Sequence, residues 1–287
     1  MKRIRLTVAY DGTDYAGFQI QKSGVPTIEG ELQKAVCALT GECPEIIGAS
    51  RTDAGVHALC NQAVFDTDSP IPAQKFAAAL NTRLPEAIRV QSSCEAAADY
   101  HPRKVASVKT YEYRIYNASC PLPVFSRYTH FSDYPYDLGK MRQAVAALVG
   151  EHDFRSFCSV YTQARTTVRT ITEITVEEQA LPFQVPAGED SWGRRGPDPR
   201  MIVIRVSGTG FLYNMVRIIA GTLMDVGRGR TSPEEMAHIL AACERRAAGP
   251  TAPACGLCLV NYQFASRQPD ESGTAAAENM ADESDFD

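Results

Sequence analysis

No apolar run in this 287-residue chain reaches the roughly 18 to 20 residues that a membrane helix requires. The basic start (Lys2, Arg3, Arg5) passes straight into Leu6-Thr7-Val8-Ala9-Tyr10-Asp11, which alternates like a strand and has no signal-peptide core, so the expected location is the cytoplasm. A disulfide framework is missing too. The nine cysteines are odd in number and scattered, a pattern that fits reduced thiols. Cys255-Gly-Leu-Cys258 has metal-knuckle or redox spacing, but no second CxxC or histidine pair completes a zinc site, so no metal is expected. A surplus of positive charge is also absent, the formal net charge being -5. That figure hides an uneven distribution. Residues 266–287 hold only Arg267 against seven acids, which leaves 28 of the 29 basic and 27 of the 34 acidic residues in the preceding body. The tail is too polar to bury a core and reads as disordered. The body is near neutral and has cations to spare for a basic groove.

What is present, 44% hydrophobic and 22% charged residues, describes an ordinary globular protein of one large or two modest domains. Residues 3–10 read as a strand, Thr27 caps a helix to Thr40, and Ile46-Ile47 and Ala63–Asp66 read as two strands. A helix over Ala73–Thr82 and a strand over Ile88–Ser92 follow. Strand, helix, two strands, helix, strand is the ferredoxin-like order. A second α/β unit repeats the theme without sequence repetition. It has a strand over Val105–Tyr116, a long connection over 117–136, and a helix from Asp137 to Val149 ended by Gly150. Strands over Thr167–Glu178 and Met201–Val206, helices over Phe211–Val226 and Ser232–Ala242, and a closing strand over Leu257–Phe264 complete it. Residues 180–199 carry four prolines and three glycines and read as an inserted surface loop. The expected fold is therefore α/β (α+β), with two ferredoxin-like domains whose antiparallel sheets join and whose cleft holds the site. The expected division is 1–103, 104–265 and the acidic tail 266–287.

The segment Arg51-Thr52-Asp53-Ala54-Gly55-Val56-His57 lies between the strands of the first unit. Two readings stand side by side. Asp-Ala-Gly is ordinary turn chemistry. It is equally a way to aim a carboxylate from a loop, with glycine allowing a tight turn and an arginine favouring the ionised acid.

Taken with five further segments, this one resembles the tRNA pseudouridine synthase TruA family. The others, in order, are Tyr10-Asp-Gly-Thr-Asp-Tyr-Ala-Gly-Phe-Gln-Ile-Gln21, Lys109-Thr-Tyr-Glu-Tyr113, Gly150-Glu-His-Asp-Phe154, Gly210-Phe-Leu-Tyr-Asn-Met-Val-Arg217, and Gly256-Leu257 with Leu259. The resemblance covers nearly all of residues 4 to 264. It implies an isomerase that converts uridine to pseudouridine at positions 38, 39 and 40 of the tRNA anticodon arm, as a homodimer, with no cofactor and no metal. It makes Asp53 the catalytic aspartate, Tyr111 the tyrosine that packs against the target base, and Arg217 the arginine that pairs with the aspartate. On charge alone, Arg51 and Arg217 are expected to support the ionised Asp53.

The chemistry agrees. The reaction breaks N1–C1′, turns the uracil and joins C5 to C1′, so a charged carboxylate can serve as nucleophile or stabilise a glycosyl cation. A base in a helical arm must flip out and stack on an aromatic ring, and the Tyr111 hydroxyl is suited to relay the proton lost from C5. Lys109, Arg103 and Arg114 are candidates to line the tRNA path. Duller readings accompany each residue: Tyr111 as strand core, Arg217 as a structural ion pair on an apolar helix, His57, His101 and His152 as polar groups without catalytic duty, and Lys109, Arg103 and Arg114 as solvated strand charges. The chain departs from the family's usual residues at Ser50 (usually Gly), Phe18 (usually Trp) and Tyr100-His101-Pro102-Arg103 (usually Phe-His-Ala-Arg), none of which removes a reactive group. Two rivals remain at this point. One is a non-catalytic RNA-binding module of ferredoxin-like fold, and the other a thiol or zinc protein built on Cys255 and Cys258.

Overall fold

The first strand, β1 (Lys2–Tyr10), turns its alternation into burial: Ile4, Leu6, Val8 and Tyr10 are inside. Helix α1 (Ile28–Thr40) follows, the Thr27 hydroxyl accepting the Gly30 N–H at 3.2 Å, and packs Ile28, Leu32, Ala35 and Val36 inward. Next come β2 (Ile47–Gly48), β3 (His57–Thr67), α2 (Phe76–Asn81) and β4 (Ile88–Ala96). The computed structural model describes residues 1–183, 185 and 196–264. The acidic tail and most of the 180–199 insertion lie outside the described residues.

The second half comprises β5 (Ser107–Asn117), β6 (His130–Ser132), α3 (Leu138–Val145), β7 (Gly150–Asp153), β8 (Val168–Gln179), β9 (Arg200–Gly208), α4 (Met215–Gly227), α5 (Glu235–Ala242) and β10 (Leu257–Phe264). Several elements differ from their sequence patterns. β3 begins six residues before its apolar stretch, because sheet pairing with β1 and β10 extends it back to His57 and buries the polar His57, Asn61 and Gln62. The 117–136 connection contains β6, which pairs parallel to β5. The helix expected to Val149 tightens into a 3-10 turn over Ala146–Leu148, and β7 opens at Gly150. The helix expected from Phe211 starts only at Met215, since Asn214 takes a left-handed backbone (φ 62°) that no helix continues through.

The ten strands of the described residues form one sheet, ordered β4-β1-β3-β10-β5-β9-β8-β7, with β2 on β3 and β6 on β5. Each half follows the same internal order. β4-β1-β3-β2 in the first is matched by β10-β5-β9-β8 in the second, the ferredoxin-like arrangement expected from sequence. The halves meet where β3 and β10 run parallel, Cys258 opposite His57 and Leu259 opposite Ala58. Continuing across, Leu259 pairs with Tyr111 and Tyr111 with Val206, so one row of residues links the start of β3 to the middle of β5 and β9. One apolar cluster runs from Ile4 and Leu6 through Tyr113 and Ile204 to Leu259. Each such side chain contributes roughly 1.5–3 kcal/mol by leaving water, which makes the junction a stiff platform.

The thiols are not all separate. Cys37 and Cys43 are disulfide-bonded, their Cα atoms 4.6 Å apart, because the chain reverses after α1 at Gly41 and brings the two together. Cys255 and Cys258 face different partners: the Cys255 Sγ donates to the Thr129 carbonyl, whereas burial pushes the Cys258 thiol up to about 12. Among the described residues no cluster of three or more His, Cys, Asp or Glu side chains is placed to hold a metal ion.

Candidate active site

The loop that carries Asp53 is held in place mainly by the residues around it. Asn61, wholly buried on β3, spends its entire amide on this task. Its Oδ1 accepts the Ser50 N–H at 3.2 Å and the Gln62 N–H at 2.9 Å, and its Nδ2 donates to the Ser50 carbonyl at 2.9 Å and the Tyr10 hydroxyl at 3.0 Å. The Tyr10 hydroxyl then meets the Thr52 Oγ1 at 2.7 Å. From the other side the 10–21 segment forms a cradle: Phe18 N–H donates to the Thr52 carbonyl, and Gly55 N–H to the Tyr15 carbonyl. Gly17, at φ +97°, allows this approach. A Cβ there would stand 2.8 Å from the Thr52 carbonyl oxygen and 3.3 Å from the Asp53 backbone carbon. The motif around Tyr10 is thus the mould in which the aspartate loop is cast.

Asp53 itself leans across the junction. Its Oδ2 lies 3.7 Å from Arg217 Nη1, both side chains less than one-fifth exposed. Arg217 stands on the first turn of α4 and is fixed twice, its Nε donating to the Ala252 carbonyl and its Nη1 to Asn214 Oδ1, each at 2.7 Å. The Asn214 backbone N–H faces the Asp53 carboxylate and favours its ionised form, so the left-handed turn before α4 bears on both partners. Burial raises the Asp53 pKa to about 6, and Arg217 restrains the rise without cancelling it. Sequence reasoning expects two arginines to hold this acid firmly ionised; in the folded protein desolvation outweighs the cation. Arg51 takes no part in that balance. It is exposed, and its charge bears on Arg103 and Lys109.

Tyr111, 8% exposed on β5, sets its ring edge-on to Phe211 with centroids 5.2 Å apart. Burial pushes its phenol well above the ordinary tyrosine value, with a further upward push from Asp53. The Ser50 hydroxyl faces that phenol yet makes no properly aligned hydrogen bond and is otherwise buried without a partner. The structure therefore brings Asp53, Tyr111 and Arg217 together and leaves Arg51 at the rim. His57 belongs to the scaffold: its Nδ1 accepts the Gly12 N–H at 3.1 Å and lies 3.2 Å from Asp11 Oδ1, and burial lowers its pKa against the upward pull of that acid. Sequence reasoning misses Asn61 and Asn214. A polar residue inside a strand leaves no periodic signal, although asparagine before an apolar helix is a recognisable left-handed cap.

A family model described as tRNA pseudouridine synthase matches residues 6–103 and 144–265. The chain is 43% identical over 259 residues to a protein of Brevibacillus brevis named tRNA pseudouridine synthase A, covering 90% of this chain and 98% of that one. A protein of the same name from Acetivibrio thermocellus is 39% identical over 264 residues, 92% of this chain and 100% of the other. A third, from Ruminiclostridium cellulolyticum, is 42% identical over 264 residues with the same coverage.

Proposed function

The chain belongs to the tRNA pseudouridine synthase family, and on that premise we propose that it isomerises uridine to pseudouridine at positions 38, 39 and 40 of the tRNA anticodon arm, with Asp53 as the reacting carboxylate. Family membership favours this enzyme over a non-catalytic RNA-binding module. The observation that carries the assignment of Asp53 is its geometry: a mostly buried carboxylate, paired with Arg217 at the junction of the two halves and close to Tyr111.

In this reading the target uridine leaves its stack and enters the cleft, its base against the Tyr111 ring. The Asp53 carboxylate acts as nucleophile or as counter-ion to a glycosyl cation while N1–C1′ breaks. The uracil turns, C5 bonds to C1′, a proton leaves C5 and one is taken up at N1. Electrons are neither gained nor lost, so the chemistry calls for no redox cofactor. Tyr111, held protonated by burial, is suited to hand on the C5 proton. Arg217 keeps the carboxylate oriented and available as an anion near neutral pH.

Residues 1–103 then form the unit that carries Asp53, residues 104–265 the unit that carries Tyr111 and Arg217, and 266–287 an acidic appendage. The matching strand orders on either side of the β3–β10 junction support that division. The family supports a homodimer working in the cytoplasm. Among the described residues no helix is long and apolar enough to cross a membrane. Incubation of unmodified tRNA with the protein, followed by mass mapping, tests the reading. Pseudouridine confined to positions 38–40 is expected, and its absence there contradicts the proposal.

A further inference from the structure

Next to the Asp53 loop lies a group of cations that the proposed chemistry leaves unused. The Arg103 Nε donates to the Gly48 carbonyl at 2.8 Å, and the Lys109 Nζ donates to the carbonyl of the next residue, Ala49, at 3.3 Å. Two consecutive carbonyls at the entry to the loop therefore fix two positive heads side by side, with Arg51 two residues further along. Among the described residues, none of the three has a carboxylate within ion-pair distance. The nearest acids that Arg103 feels are Glu29 and Glu45, and Lys109 feels only the like charges of Arg103 and Arg51.

We propose that Arg103 and Lys109, with Arg51 at the rim, seat a backbone phosphodiester of the RNA, the one flanking the uridine presented to Asp53. The inference rests on the function proposed above and adds to it the anchor that sets the nucleotide's register.

Placement supports it first. Lys109 and Tyr111 are two apart on β5, so they share a face of the sheet and stand about 7 Å apart along the strand. That is comparable with the separation of a nucleobase from its own flanking phosphate. Arg51 lies two residues before Asp53 on the same loop. A phosphate on the cations thus leaves its nucleoside over the ring and the carboxylate.

Donor capacity supports it second. Lys109 uses one of its three donors on protein and Arg103 one of its five, which leaves a point charge and a planar fork for phosphate oxygens. The Tyr262 ring, 5.4 Å from the Lys109 ammonium, walls one side, and the Tyr262 hydroxyl donates to the Pro102 carbonyl just before Arg103. Electrostatics agree: burial and the two arginines lower the Lys109 pKa to about 8, a crowding of like charge that a bound anion relieves.

The test couples a change in the protein to a change in one RNA atom group. Anticodon-arm hairpins are prepared with a single neutral methylphosphonate at each phosphate flanking the target uridine, and kcat/KM is measured for wild type, Lys109→Met and Arg103→Gln. Wild type forming pseudouridine on the all-phosphate hairpin secures the function on which the inference rests; without that, both fail together. The proposal expects each variant to lose about tenfold on the all-phosphate hairpin. One methylphosphonate position is expected to cost wild type a similar factor and the variants nothing further. A methylphosphonate that costs wild type and variants equally at every position, or costs wild type nothing, overturns the site while leaving the function intact. Should Lys109→Met fold poorly, Arg103→Gln completes the cycle alone, because Arg103 is an exposed residue.

Discussion

Arg217 Nη1 stands 3.7 Å from Asp53 Oδ2, and the two residues come from opposite halves of a fold that one continuous sheet joins. Each is braced by its own half, Asp53 through the loop that Asn61 fastens and Arg217 through Ala252 and Asn214. The distance between them is therefore set by the β3–β10 junction. A carboxylate placed this way is accessible to a flipped base and yet largely out of water.

The acid limb of the pH profile follows from that burial. With Asp53 titrating at about 6, kcat/KM is expected to fall tenfold per pH unit below that value, as measured by single-turnover pseudouridine formation between pH 4.5 and 8. Arg217→Gln removes the charge that restrains the rise, so the limb moves upward by about one unit. A limb that stays near 6 in Arg217→Gln contradicts the electrostatic role given to the arginine.

Stability carries the same signature with the opposite benefit. A carboxyl whose pKa is raised in the folded chain binds its proton more tightly there than in the unfolded chain. Ionised Asp53 therefore costs stability above pH 6, at most about 3 kcal/mol, and the cost vanishes as pH falls below the unfolded value near 4. Asp53→Asn, neutral throughout, is expected to raise Tm at pH 7.5 and to match wild type near pH 4. Calorimetry at the two pH values checks this, and an equal gain at both excludes it.

Asn61→Ala leaves the Ser50 backbone and the Tyr10 hydroxyl without their buried partner. A loss of about 2–4 kcal/mol in denaturant unfolding is expected, together with a fall in kcat although no reactive group has changed. Retention of full activity at 25 °C argues against the amide as the fastening of the Asp53 loop.

Tyr111→Phe keeps the ring against Phe211 and discards the hydroxyl. Affinity for tRNA is expected to hold while turnover drops about a hundredfold. Unchanged turnover removes the proton relay and leaves base stacking in place.

Much of this architecture is legible from residue order. Alternation marks β1, β5, β8 and β9, the Thr27 and Asp137 caps mark α1 and α3, and the closing strand has the expected bounds of Leu257–Phe264. What escapes has physical causes. His57–Gln62 enters the sheet because strand pairing and a saturated Asn61 amide compensate for buried polarity, and no apolar pattern records that. Phe211–Asn214 continues a helical apolar rhythm, but the left-handed Asn214 breaks it. Asp53, Tyr111 and Arg217 are recognisable as residues, whereas the strength of burial around Asp53 depends on packing from both halves. The Cys37–Cys43 bond needs the turn after α1, which spacing alone does not give.

The most direct test of the central claim compares wild type with Asp53→Asn on unmodified tRNA, reading pseudouridine by mass mapping and affinity by direct binding. The account predicts pseudouridine at positions 38–40 from wild type, and from Asp53→Asn a folded protein with unchanged tRNA affinity and no pseudouridine. Pseudouridine from folded Asp53→Asn would contradict it.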